Sequence, residues 1–197
     1  MAIYGGFRRG ELCALRWENV DFEKRTVFVC AALCRVGRSQ VIKTPKTDAG
    51  FRTVCLPDEC FDALSILRGR GCGELGCAEE RDCGECGCEK VPSCSEYVFT
   101  KARTAEPLSL QLATNEFRRI LLRHNRSCRP GEELPLIRLH DLRHTSATLL
   151  LASNTDIETV ARRLGHSRAS VTLDVYGHAL PGKDYAAAQL LGEIIGG

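Results

Sequence analysis

The sequence predicts an α+β domain that is mainly α, with a small antiparallel β-sheet or hairpin packed on a helical bundle. Two observations carry this. Residues 25–56 hold short β-branched runs separated by turn residues. From residue 109 onward, apolar residues recur at helical spacing among arginines and capping residues. At 197 residues the chain has the length of one well-buried domain. Hydrophobic content of 44% and charged content of 26% are ordinary for a globular protein. No stretch approaches the roughly 20 apolar residues that a membrane span needs, and the opening MAIYGGFRRGE lacks the apolar run of a secretory signal. The expectation is a cytoplasmic protein with no membrane partner, whose twelve cysteines are reduced thiols or metal ligands.

Taken in order, RGELCALRW reads as a helix turning Leu12, Leu15 and Trp17 inward. RTVFVC, SQVIK and FRTVCL are expected to form one small antiparallel sheet. PDECFDALSILRG opens on Pro57 with an acidic first turn and reads as a helix stopping at Gly69. Residues 70–96 form a Gly-, Cys- and Glu-rich excursion with no period, and YVFT reads as a short strand. Leu110, Phe117, Ile120 and Leu121 mark a helix from Ser109 to about Arg126. HDLRHTSATLLLAS is a helix that grows more apolar as it proceeds. In TDIETVARRLGH, Thr155 and Glu158 match a capping box and Gly165 is the stop. SRASVTLDVY is a short helix and KDYAAAQLLGEII a final amphipathic one.

Charge is unevenly spread. Residues 72–96 carry seven acidic side chains against Arg81 and Lys90, a local charge of −5, which leaves +7 for the rest of a chain whose net charge is +2. Arg118, Arg119, Arg123, Arg126 and Arg129 cluster in one segment, as either a solvated helix face or a surface for a phosphate backbone.

The segment HDLRH concentrates the most polar chemistry. His140 and Arg143 are three apart and His144 lies four after His140, so one helix face carries all three. The plain reading is a polar helix start, with Asp141 complementing the helix dipole. The His-x-x-x-His spacing also fits a zinc hydrolase helix, but Asp141 is a methylene shorter than the usual glutamate and Arg143 would set a fixed cation beside the metal. A phosphate site is the third reading, with Arg143 as a bidentate fork and His140 as a proton carrier. That reading requires a second arginine and a nucleophile. GFRRGELCALRW offers Arg8, and LGHSRASVTLDVYGH offers His166 and Tyr176.

These pieces, together with PKTDAGFRTVCLP, resemble the boxes of the tyrosine recombinases, or phage-type integrases, in that family's order from residue 5 to about 180. The resemblance implies the tyrosine recombinase catalytic-domain fold and a site of Arg8, Lys46, His140, Arg143, His166 and Tyr176. Arg8 stands three before Glu11, as the family's first arginine stands before its glutamate, and Arg9 is then a basic neighbour. Lys46 in PKT matches the hairpin lysine better than Lys43. The resemblance further implies site-specific integration or recombination of double-stranded DNA, of a phage or mobile element, through a 3′-phosphotyrosyl intermediate. Neither a nucleotide cofactor nor a catalytic metal is implied, and no small-molecule substrate.

The chemistry is coherent on its own terms. A phenol of reference pKa about 10 is a poor nucleophile until its proton is removed and the developing charge neutralised. Two guanidinium forks suit the non-bridging phosphate oxygens, a lysine can protonate a leaving 5′-oxygen, and histidines can pass protons. Rival readings are a non-catalytic or decayed DNA-binding domain, and topoisomerase IB-like relaxation of DNA.

Two features depart from the family pattern. Relatives carry an N-terminal helical domain that grips DNA, so the expectation is a catalytic domain without it. The excursion contains Cys72, Cys77, Cys83, Cys86, Cys88 and Cys94, spaced Cys-x4-Cys-x5-Cys-x2-Cys-x-Cys-x5-Cys. Structural zinc held by four thiolates is one reading and a metal-free acidic loop the other. Cys13, Cys30, Cys34, Cys55, Cys60 and Cys128 read as small core or surface residues. The final helix sets Tyr185, Ala188, Leu191 and Ile195 along one face, more apolar surface than a free tail exposes. It is expected to dock either on its own domain or on a neighbour in a synaptic tetramer.

Overall fold

A computed structural model describes residues 1–73, 95–101, 104–176, 189 and 192–195. The chain opens with two short helices, α1 (Ala2–Gly5) and α2 (Arg9–Cys13). Strands β1 (Val20–Asp21), β2 (Thr26–Val29), β3 (Ala32–Val36), β4 (Ser39–Lys43) and β5 (Arg52–Cys55) follow. Among the described residues longer helices follow: α3 (Asp58–Gly73), α4 (Leu110–Ser127), α5 (Asp141–Ala152), α6 (Ile157–Leu164) and α7 (Ala169–Tyr176).

The expected single sheet is two. β1, β2 and β5 form an antiparallel sheet in which Val27 faces Val54, while β3 and β4 pair separately, with Leu33 opposite Ile42. The reason is packing. Val27, Val29 and Val54 alternate inward on one core with Leu56, Phe61 and Leu64 of the α3 side. Leu33 instead enters a separate cluster with Cys13 and Ala14, against which Leu110 and Ala113 of α4 pack. Gly10 makes this second junction close, since a Cβ there would lie 2.4 Å from the Leu33 carbonyl oxygen. The β3–β4 hairpin is thereby pinned to the helix that Arg8 begins.

A third cluster joins α5 to α6 through Ala147, Leu151, Val160 and Leu164. Asn154 makes the turn between them in the left-handed region, at φ 60°, which asparagine tolerates.

Other local expectations shift by a few residues. α3 runs past Gly69 to Gly73, so the first residues assigned to the excursion are helical, and residues 74–94 lie outside the described residues. YVFT forms isolated bridges, Arg16 with Tyr97 and Thr100 with Pro107, rather than a strand. The α6 cap is Asp156, which accepts the Thr159 amide at 2.8 Å, not Thr155. Asp156 stands at the N-cap itself, where its carboxylate reaches the orphan amide, and Thr155 lies one position too early. Ser109 caps α4 as its position suggests, accepting the Leu112 amide at 3.2 Å. Cys13 and Cys60 are buried and Cys55 is exposed, and burial pushes the Cys13 thiol up to about 11.

Gly10→Ala should force α2 and β3 apart and lower stability by about 1–3 kcal/mol, the usual cost of overpacking. A urea midpoint equal to the parent's would show that the hairpin yields freely at this contact.

Candidate functional site

The site is built where α2, β5, α5 and the turn after α6 meet. Arg8 is the N-cap of α2, in extended conformation. Glu11, one turn later, accepts the Arg8 amide at 2.7 Å and the Arg8 guanidinium at 2.9 Å. Its carboxylate also receives a bidentate pair from Arg52 at 3.0 and 2.8 Å. Glu11 and Arg52 are both buried, with side chains 6% and 4% exposed. Burial alone would raise the Glu11 carboxyl, but the hydrogen bonds and charges of Arg52 and Arg8 outweigh it and hold it below the usual range. The second half of Arg52 reaches α6, where its Nε donates to the Arg163 carbonyl at 2.8 Å.

Arg143, in the first turn of α5, is 2% exposed. Its guanidinium donates to the Gly6 carbonyl at 2.5 Å and the Leu164 carbonyl at 2.6 Å, and lies 3.0 Å from His166 Nε2. Arg8 reaches the same turn from the other side, donating to the Gly165 carbonyl at 3.2 Å. The last carbonyls of α6 thus hold both guanidinium groups, as the negative end of a helix dipole favours. Gly165 lets Arg52 and the Ala49 carbonyl lie close against this turn. Its φ is +69°, and a Cβ would meet the Ala49 carbonyl at 3.0 Å and the Arg52 guanidinium at 2.8 Å.

His166 is the centre of the cluster. Its Nδ1 lies 2.9 Å from the hydroxyl of the fully buried Thr172 on α7. Desolvation first, then the charges of Arg143, Arg8 and Arg52 with His144, lower its imidazole to about 4. A cleft of about 290 Å³ beside it is lined by Phe51, Arg52, Arg162, Ser167 and Arg168 among others. Among these lining residues, Arg52 is nearly fully committed to Glu11, whereas Arg162 and Arg168 are exposed.

His140 caps α5 at the surface, with its ring edge-on to His144 at 5.0 Å between centroids. Partial desolvation, His144 and Arg143 lower its imidazole below the usual histidine range. Lys46 stands exposed in the turn from β4 to Arg52, outside the hydrogen-bonded cluster among the described contacts. Tyr176 is the last residue of α7, four after Thr172, and its side chain lies outside the described residues. Of the six residues expected, the structure therefore joins Arg8, Arg143 and His166 directly, and sets His140 one turn from Arg143. Sequence reasoning missed Arg52 and Thr172 altogether. The one available signal for Arg52 was a charged residue at the inward-facing register of β5, between Phe51 and Val54.

Cys72 falls in α3, while Cys77, Cys83, Cys86, Cys88 and Cys94 lie outside the described residues. Among the described residues, no group of three or more His, Cys, Asp or Glu is placed to hold a metal. No helix among them is long and apolar enough to cross a membrane.

Comparison with known proteins places the site in context. The model of the phage integrase family matches residues 1–182. A XerC-like tyrosine recombinase of Caldanaerobacter subterraneus subsp. tengcongensis is 28% identical over 98% of this chain and 48% of its own length. The ICEBs1 integrase of Bacillus subtilis is 28% identical over 99% of this chain and 48% of its own length. The chain thus spans about half the length of these curated relatives. Among solved structures, the Tn1549 transposon integrase in complex with transposon right end DNA superposes with a TM-score of 0.73 at 26% identity, covering 100% of this chain and 57% of that one. The XerA recombinase, at 21% identity and a TM-score of 0.59 over 97% of this chain and 52% of that one, shares the fold. The α+β, mainly α architecture is that of the tyrosine recombinase catalytic domain.

The depressed imidazole has a measurable sign. Because its folded pKa is near 4 against an ordinary 6.5, His166 contributes stability above about pH 6.5 that is lost as pH falls toward 4. An NMR titration of its ring should therefore find a midpoint well below 6.5, with thermal stability declining across the same window. A midpoint at or above 6.5 would mean that the arginines do not surround it in solution.

Proposed function

The chain belongs to the phage integrase family, and we propose that it is the catalytic domain of a site-specific DNA recombinase of a phage or mobile element. The observation that carries this reading is the convergence of Arg8 and Arg143 on the turn at residues 164–166, beside His166 and at the foot of the helix ending in Tyr176. Two guanidinium groups so held can clamp the non-bridging oxygens of one DNA phosphate, exchanging backbone carbonyls for charge-assisted contacts.

In the proposed reaction the Tyr176 phenol oxygen attacks phosphorus, and the bond to the 5′-oxygen breaks. The protein is left joined to the 3′-phosphate. Lys46, on the exposed turn, protonates the departing 5′-oxygen, while His140 and His166 exchange protons or hydrogen bonds with Tyr176 and the phosphate. The phosphotyrosyl ester keeps the bond energy until a second 5′-hydroxyl attacks and releases the phenol. The proposed reaction draws on neither ATP nor a metal.

Arg118, Arg119, Arg123 and Arg126 of α4 and Arg129 just after it, all exposed, suit a double-stranded DNA backbone. Relatives and neighbours bearing integrase and recombinase names, including the Tn1549 integrase complex with DNA, support double-stranded DNA as the substrate. Site choice and full affinity then depend on parts of the relatives' length that this chain does not span.

A nicked suicide substrate tests the chemistry. Tyr176→Phe should bind DNA yet form no covalent adduct on denaturing electrophoresis. Arg143→Lys should lose about 100-fold or more in cleavage, because a point charge cannot reproduce a bidentate fork. Adduct formation by Tyr176→Phe, or parental cleavage by Arg143→Lys, would overturn the assignment.

We further propose assembly on paired sites as a synaptic tetramer through the C-terminal helix. Ile194 and Ile195, in the helical stretch 192–195, are 69% and 80% exposed, which supports a tail whose apolar side is covered by a neighbouring protomer. Deleting residues 182–197 should abolish strand exchange while leaving DNA binding within about threefold. Normal exchange by the deletion variant would make the tail a cover for its own domain.

A further inference from the structure

We propose that Thr172 is a positioning residue that sets the tautomer of His166 and, through it, couples the docking of α7 to the arginine cluster. The argument begins with what each neighbour can do. A guanidinium has five donors and no acceptor. Arg143 therefore meets His166 Nε2 at 3.0 Å only if that nitrogen presents a lone pair. The neutral ring then carries its proton on Nδ1, and Nδ1–H donates to the Thr172 hydroxyl at 2.9 Å. A doubly protonated ring would set an N–H against the guanidinium, which agrees with the lowered imidazole pKa. Thr172 is fully buried, so no water competes for this bond.

The geometry reaches further than one ring. Thr172 and Tyr176 share the eight-residue helix α7, one turn apart. The Thr172 bond thus fixes α7 to the same turn, Leu164 to His166, that the two arginines grip. When α7 is docked, His166 turns a proton-accepting Nε2 toward Arg143. When it is not, Nδ1–H loses its acceptor, and the ring is free to turn away from Arg143 and carry its proton on either nitrogen. The consequence for cleavage rests on the recombinase reading above, whereas the tautomer does not.

Nitrogen-15 NMR of the histidine rings tests it, with Thr172→Val removing the hydroxyl at nearly constant volume and Thr172→Ser keeping it. The parent protein should show His166 protonated on Nδ1. Thr172→Val should show a mixed or Nε2-protonated ring and at least a tenfold slower adduct with a suicide substrate, and Thr172→Ser should restore both. A parent His166 protonated on Nε2 would overturn the proposal without any variant. So would a Thr172→Val protein that keeps the Nδ1–H signature, or one that loses it with no change in adduct rate. If the parent forms no adduct but shows the Nδ1–H ring, and Thr172→Val loses it, the positioning role stands and the recombinase reading fails.

Discussion

The buried carboxylate of Glu11 is the interaction on which the rest of the site depends. It accepts four hydrogen bonds, two from Arg8 and two from Arg52, and so ties the first turn of α2 to β5. Arg52 then passes the connection to α6 through the Arg163 carbonyl. Such a pair adds little net stability, because desolvation offsets most of the attraction, yet removing one member leaves an uncompensated buried charge. Its value here lies in geometry. Arg8 is held by its own backbone and side chain at once, and its other terminal nitrogen donates to the Gly165 carbonyl.

Around that anchor the molecule gathers positive charge. Arg8, Arg52 and Arg143 surround His166, with Glu11 the anionic partner identified for two of them. Backbone carbonyls at the end of α6 and at Gly6 accept hydrogen bonds from Arg143. Carbonyl dipoles are weaker partners than a phosphate, so a bound anion can displace them from guanidinium groups that are already oriented. This is preorganisation in the sense that matters for charge developing on a bound anion, since the orientation is settled by folding.

Much of this was legible in one dimension because the informative residues lie in short local boxes. Arg8 and Glu11 sit three apart, His140 and Arg143 likewise, and the Gly165–His166 step follows a helix stop. Arg52 escaped notice because a lone arginine in a strand has no local partner to mark it, and Glu11 is 41 residues away. Thr172 escaped because a threonine in a short helix looks like packing until a ring nitrogen is found beside it. The two separate sheets were hidden for a related reason. The runs at residues 25–30, 39–43 and 51–56 read alike, and only the choice of partner core divides them.

By itself the sequence determined the α+β class, the order of the longer helices, the helix ends at Ser109 and Gly165, and the local boxes holding Arg8, His140, Arg143 and His166, all of which depend on periods, caps and spacings within about a dozen positions. Tertiary structure alone decided that Arg8, Arg143 and His166 share one turn, that Arg52 locks Arg8 through Glu11, and that Thr172 faces His166. Those contacts join segments 6 to 157 residues apart. Distance along a chain carries no information about which buried donor will find which acceptor. Only the packing of α5 on α6, and of α2 beside β5, brings them within hydrogen-bonding range.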